Sequence, residues 1–175
     1  MGYSIIFGTK VVNLSDGRLL HLELSGCNND DNGRKNDDWQ GEILTKEAYI
    51  KKAEDFMEGS LPMKEADGWD LKIGSRYATY FDYGKHLLRM MNKAVSFDEL
   101  MHSGKYVSFN SVNGVDVKID GKIKTMSQME FYAYVQKQMY NGGCTYRINS
   151  TLLTTEQEVI SAFDKGDTVR IFMSK

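Results

Sequence analysis

Residues 3–24 read YSIIFGTKVVNLSDGRLLHLEL and predict a β-hairpin. The first strand, residues 3–14, is apolar on both faces near its start, which favours a central place in a sheet. The second strand, residues 18–24, alternates leucine with His and Glu, the period of a strand that buries one face. Between them, Ser-Asp-Gly at residues 15–17 supplies the residue types of a tight turn. We therefore expect a fold built on a β-sheet.

The rest of the chain mixes helical and extended patterns without a steady strand–helix–strand alternation. Ser127 and Glu130, for example, form a capping box that opens a helix. Such a mixed order favours an α+β fold, with a mainly antiparallel sheet and three to four helices packed on it, and 175 residues favour a single domain. The predicted helices span 46–58, 81–94, 127–140 and 155–164, with one further turn at 97–101. The predicted later strands span 69–74, 106–109, 115–119, 122–126, 145–153 and 168–173.

Residues 26–41, GCNNDDNGRKNDDWQG, form an unusually polar stretch with four Asp and four Asn. Asn, Asp and Gly favour turns because their side chains bond the local backbone or because they permit a positive φ. We predict an acidic polar loop here instead of a helix or a strand, since so long a polar segment after a hairpin is typical of functional loops. Its candidate partner-binding residues are Asp30, Asp31, Arg34, Lys35, Asp37, Asp38 and Trp39.

The carboxylates of this segment also suggest a metal site, but the pattern is incomplete. From Asn28 the spacing follows the first half of a calcium-binding loop, yet Trp39 stands where the bidentate Glu belongs. A looser magnesium or manganese site would need carboxylates at 30, 31, 37 or 38 to converge with Glu42. The three histidines and two cysteines lack zinc-binding spacing. We therefore assign no catalytic residue and predict no metal and no cofactor.

A basic stripe is predicted on the helix over residues 81–94. Lys85, Arg89 and Lys93 recur every four residues, so they share one helix face. Such a face could neutralise phosphates or meet an acidic protein surface, which makes the three residues candidates for partner binding. Further candidates, for stacking on bases or for contact with phosphates, are Tyr77, Tyr80, Tyr83, Lys118, Lys122 and Lys124.

Two stretches resemble proteins of mobile elements in Firmicutes: IIFGTKVVNLSDGRLLHLELSGCNND at residues 5–30, and NGRKNDDWQGEILTKEAYIKKAEDF at residues 32–56. The resemblance is to small accessory proteins of phages, plasmids and conjugative elements, some of which are similar to anti-CRISPR proteins. It covers about the first third of the chain and includes no catalytic motif. It implies a protein that binds a type II CRISPR-Cas effector nuclease, or its guide-RNA complex, and blocks its activity.

Composition limits the remaining choices. Hydrophobic residues make up 41% and charged residues 26%, as in a globular protein, and the net charge is −2. No window of eighteen apolar residues occurs and the N-terminus does not resemble a signal peptide, so we predict the host cytoplasm and no membrane partner. Three functions stay open: an anti-CRISPR-type inhibitor, a metal-dependent nuclease that uses the acidic loop, and a regulatory interaction module unrelated to CRISPR. A homodimer is compatible with each.

Overall fold

The computed structural model describes residues 8–29, 35–58, 72–73, 76–77, 79–138 and 145–174. In these residues the fold is α+β, with a mainly antiparallel eight-stranded sheet, a separate two-stranded pair and five helices, which confirms the predicted fold class. The strands are β1 (Thr9–Asn13), β2 (Leu19–Asn29), β3 (Lys35–Leu44), β4 (Lys72–Ile73), β5 (Arg76–Tyr77), β6 (Val95–Ser96), β7 (Val107–Ile119), β8 (Lys122–Met126), β9 (Tyr146–Leu153) and β10 (Val169–Ser174). The helices are α1 (Lys46–Met57), α2 (Tyr80–Asn92), α3 (Phe97–Met101), α4 (Gln128–Gln138) and α5 (Glu156–Asp164).

The number of helices exceeds the predicted three to four because the single turn expected at 97–101 is the five-residue helix α3. The chain also divides into two compact units. The first unit comprises Met1–Val107 with Phe172–Lys175, and the second comprises Ser108–Ile171. The expectation of a single domain stays a prediction.

In the first unit, the hairpin expected from residues 3–24 is confirmed over its described part. β1 and β2 pair antiparallel from Thr9 opposite Glu23 to Asn13 opposite Leu19, and β6 pairs with β1 in parallel. The sheet buries one face against α1 and α2, because apolar side chains from both layers meet there. This core contains Val11, Leu19, Tyr49, Ala53 and Leu87.

The prediction of a loop over residues 26–41 is wrong for the described part of this stretch, which forms strands. β2 continues to Asn29, β3 begins at Lys35, and the two strands pair from Asn29 opposite Lys35 to Leu19 opposite Leu44. Strand preference depends on cross-strand pairing and burial more than on the residue type itself. A hairpin partner therefore holds Asn and Asp in strands that their own turn preference disfavours. Residues 30–34 lie outside the described residues.

In the second unit, β7 is one strand of thirteen residues, where the sequence predicted two pieces, 106–109 and 115–119. A break in the pairing register between Val112 and Gly114 accounts for the interrupted apolar pattern, since an irregular pair shifts side chains between faces. The predicted helix over residues 127–140 is confirmed as α4 over its described part. The Glu130 amide donates to Ser127 Oγ at 3.1 Å, and Phe131 packs on the buried residues Val115, Val117 and Met126.

Candidate functional site

The basic stripe predicted on α2 is present and exposed. Lys85 and Arg89 lie on the solvent side of the helix, about 6 Å apart along its axis, and Lys93 is the exposed C-cap residue directly after Asn92. Phe81 continues the same row one turn earlier, is 42% exposed, and has Lys85 Nζ 5.5 Å from its ring centroid. We call Phe81, Lys85, Arg89 and Lys93 the α2 stripe. In the described parts of the chain none of its three cations forms an ion pair.

Sequence reasoning missed Phe81, although the signal was available. Its position four residues before Lys85 places it on the cationic face, whereas the tyrosines that were selected lie elsewhere. Tyr80 stacks on Phe56 with ring centroids 5.8 Å apart, and Tyr83 meets the edge of the same ring at 4.9 Å. Both tyrosines therefore pack against α1, and their stacking on bases stays a prediction. The side chain of Tyr77 lies outside the described residues.

The inner face of α2 contacts a polar cluster centred on Glu23. Glu23 Oε1 accepts hydrogen bonds from Thr9 Oγ1 at 3.0 Å and from the hydroxyl of Tyr83. His21 Nε2 lies 2.8 Å from the same oxygen. Burial raises the pKa of Glu23, but the contacts with His21 and Tyr83 outweigh it and hold that pKa below its usual value. Thr9, His21 and Glu23 come from β1 and β2, so the cluster fastens α2 to the sheet.

The charge of Glu23 affects the pKa values of three neighbouring rings. Burial and the charge of Glu23 raise the pKa of Tyr49, and burial with the Glu23 hydrogen bond raises the pKa of Tyr83, so both phenols stay protonated. Burial lowers the pKa of His86; the charge of Glu23 opposes this shift, and the nearby cations Arg89 and Lys93 add to it. His86 is consequently neutral at pH 7. The α2 stripe thus projects from a helix whose inner face is held by half-buried and buried polar groups.

The described carboxylates of residues 26–41 do not converge. Asp37 and Asp38 are neighbours in β3, so their side chains point to opposite faces of the strand. Asp38 and Glu42 share a face but are separated by about 13 Å along the strand. Glu42 also pairs with Lys52, with the Nζ and Oε2 atoms 3.0 Å apart. This corrects the magnesium hypothesis for Asp37, Asp38 and Glu42.

The remaining candidates in this stretch divide into half-buried and undescribed residues. Three residues are half-buried in β3, whereas the side chains of a polar loop would be largely exposed: Asp37, Asp38 and Trp39. Trp39 lies opposite Leu24, and its Nε1 is buried without a hydrogen-bond partner among the described residues. Asp30, Asp31, Arg34 and the side chain of Lys35 lie outside the described residues. Partner binding by all seven stays a prediction.

Metal removal is expected to leave the fold unchanged. Within the described ranges, no three His, Cys, Asp or Glu side chains come together as a metal site. A chelator should therefore leave the melting temperature unchanged within error, because a metal that binds only the native state must stabilise it. Differential scanning fluorimetry with EDTA, followed by excess calcium or manganese, checks this. A rise of several degrees on adding either metal would contradict the prediction.

The second unit contains a separate open cavity of about 320 Å³ next to α5. Ser111 donates to Asp167 at 3.3 Å on its wall, and Asn113 donates to Thr151 at 2.6 Å. Its lining mixes apolar and polar side chains and carries charges of both signs, at Glu158, Lys165 and Asp167, and several of its polar groups already bond one another. The cavity therefore offers less for recognition of a charged partner than the α2 stripe does.

Comparisons with known proteins do not add to this picture. No protein-family model, curated protein or solved structure matches the chain. No helix in the described ranges is long and apolar enough to cross a membrane. The α2 stripe is therefore the candidate functional site, on the strength of its own geometry and charge.

Proposed function

We propose that this protein is an anti-defence inhibitor that binds a type II CRISPR-Cas effector nuclease, or its guide-RNA complex, in the cytoplasm of a bacterial host and blocks nuclease activity. The proposal combines the resemblance of residues 5–56 to mobile-element accessory proteins with one structural observation. That observation is the α2 stripe, in which three exposed cations follow an exposed aromatic ring along one helix face. Guide RNA supplies the matching negative charge.

The charge of the stripe suits a polyanion better than an isolated acidic side chain. Each phosphate that a Lys or Arg neutralises releases condensed counterions, so a row of cations gains affinity from a row of phosphates. Three cations on one rigid helix lose little conformational freedom in the backbone when they bind. The polar cluster under α2 contributes to that rigidity. Binding of this kind blocks a nuclease by occupying its guide or a guide-binding surface, without any catalytic step.

The two alternative functions, a metal-dependent nuclease and a regulatory module, require different sites on the chain. A metal-dependent nuclease requires converging carboxylates, and Asp37, Asp38 and Glu42 do not converge. A regulatory module unrelated to CRISPR would use the same stripe on a different partner. The structure contains no observation that favours this module over the inhibitor, so the partner has to be tested directly.

Reversing the charge of the α2 stripe is expected to weaken inhibition. The variant K85E/R89E/K93E should need at least tenfold more protein to inhibit target-DNA cleavage by a guide-loaded type II nuclease, which is about 1.4 kcal/mol of binding. These side chains are exposed, so folding should change by under about 0.5 kcal/mol for each substitution. Titration of the inhibitor against a fixed amount of loaded nuclease gives the measurement.

A matched control separates the stripe from the overall charge. The variant K46E/K105E/K165E makes the same change in net charge at three exposed lysines that lie in different parts of the chain. It should inhibit like the parent. Equal loss of inhibition in both variants would assign the effect to net charge, and unchanged inhibition by the stripe variant would remove the stripe from the account.

A further inference from the structure

The α2 stripe differs from an ordinary basic helix face in the exposed ring at one end. Phe56 engages Tyr80 and Tyr83 on the inner side of the helix, whereas Phe81 turns outward and is 42% exposed. Lys85 Nζ lies over one face of the Phe81 ring, 5.5 Å from the ring centroid. Arg89 and Lys93 continue the row of cations on the same face.

A ring followed by cations is the combination that binds single-stranded nucleic acid. An unpaired base stacks on the aromatic face, and the neighbouring phosphates then meet the positive side chains. Every base has a π-face, so such a site tolerates many sequences. The stripe measures about 18 Å from Phe81 to Lys93 along the axis, since each of the twelve residue steps rises about 1.5 Å.

A duplex cannot use the ring in this way. Bases in an A-form helix are stacked on one another, and the deep, narrow major groove keeps side chains from their edges. A duplex would therefore meet the three cations only through its backbone phosphates. The exposed aromatic ring thus distinguishes an unpaired strand from a paired one, whereas the cations alone do not.

We infer that the α2 stripe binds a single-stranded segment of RNA, with an unpaired base stacked on Phe81 and the adjoining phosphates on Lys85, Arg89 and Lys93. This inference rests on the proposed function and narrows its target to unpaired parts of a guide RNA. It also assigns different roles within the stripe: Phe81 selects for a free base, and the cations supply affinity that falls as salt rises.

Substitution of Phe81 tests the inference without removing a charge. Phe81→Leu keeps an apolar side chain beside Lys85 but removes the planar ring, and Phe81→Trp restores a larger one. Fluorescence anisotropy would compare labelled oligo-uridine of about twelve nucleotides, within the range of single-strand sites, with its duplex on oligo-adenosine. The leucine variant should bind the single strand about tenfold more weakly, or about 1.4 kcal/mol, and bind the duplex like the parent. The tryptophan variant should bind both like the parent or better.

Two further variants make the outcome specific. Tyr106→Leu removes another exposed aromatic ring, 52% accessible in the first unit, and should leave both affinities unchanged. The variant K85E/R89E/K93E should lose affinity for both probes. Suppose that the charge-reversed variant loses affinity for both probes. If Phe81→Leu then binds the single strand like the parent, or loses affinity for both probes equally, this inference is overturned while the cationic stripe stands. If the charge-reversed variant binds both probes like the parent, the proposed function fails together with the inference.

Discussion

Replacing Gly84 with leucine is expected to lower the free energy of unfolding by more than about 3 kcal/mol, because overpacking a close contact forces backbone shifts. Gly84 lies where α2 crosses α1. A Cβ atom at this position would be 2.4 Å from the carbonyl oxygen of Ala53 and 2.5 Å from Met57 Cγ. A backbone oxygen cannot turn aside as the end of a flexible side chain can, so the helices would have to separate.

Gly84→Ala provides the graded comparison. Alanine in a helix interior normally gains about 1 kcal/mol over glycine, so a loss of about 1–3 kcal/mol here would reverse the usual sign and reveal the clash. Gly26→Ala is the control, since a Cβ there meets no atom of the described residues within 4 Å. Urea denaturation of the three variants measures the differences. A gain of about 1 kcal/mol in Gly84→Ala, as the helix preference alone would give, would contradict the close helix crossing.

Glu23→Gln is expected to destabilise the first unit by about 1–3 kcal/mol at pH 7, the cost of weakening hydrogen bonds to a half-buried charge. The amide keeps the shape of the side chain but loses the charge that Thr9, His21 and Tyr83 surround. Because the folded-state pKa of Glu23 lies below its unfolded value, its stabilisation is present at neutral pH and is lost as pH falls through the folded pKa. The variant mimics the protonated acid, so its deficit should shrink in that acid range.

His86 adds a second acid sensitivity at higher pH. Its folded-state pKa is lowered, so the unfolded chain binds a proton more readily and stability falls as pH drops below about 6.5. This decline should be larger in Glu23→Gln, since the charge of Glu23 raises the pKa of His86 and the variant removes that charge. Urea denaturation between neutral and acid pH, with the exposed substitution Asp55→Asn as control, separates the two effects. A deficit of Glu23→Gln that stays constant over the whole range would contradict the assigned role of the carboxylate.

Local signals in the sequence predicted much of the fold. The turn at residues 15–17, the apolar periodicity of the helices and the capping box at Ser127 are short patterns next to the elements that they predict, and Thr45 and Thr155 cap α1 and α5 in the same way. Each cap hydroxyl accepts from an amide three residues later. Such contacts are readable because both partners appear in one short window.

Nonlocal contacts explain what the sequence did not reveal. The Glu23 cluster joins residues as far apart as Thr9 and Tyr83, and no short pattern marks that meeting. The extension of β2 and β3 into residues 26–29 and 35–41 likewise depends on pairing between two polar segments, each of which favours a turn by itself. For α2 the spacing of the cations predicts the stripe, whereas Phe81 is identified by its exposure and by its contact with Lys85.

The central claim is that the protein binds a type II effector nuclease or its guide-RNA complex through the α2 stripe. Size-exclusion chromatography of the parent protein with a type II nuclease, loaded or not loaded with guide RNA, tests it most directly. We expect co-elution with the loaded nuclease, weaker association without guide, and loss of co-elution for K85E/R89E/K93E but not for K46E/K105E/K165E. The complex of the parent protein with the loaded nuclease should also dissociate as the salt concentration rises. Any binding that the stripe variant retains should depend less steeply on salt. Separate elution of the parent from both forms of the nuclease at low salt would contradict the claim.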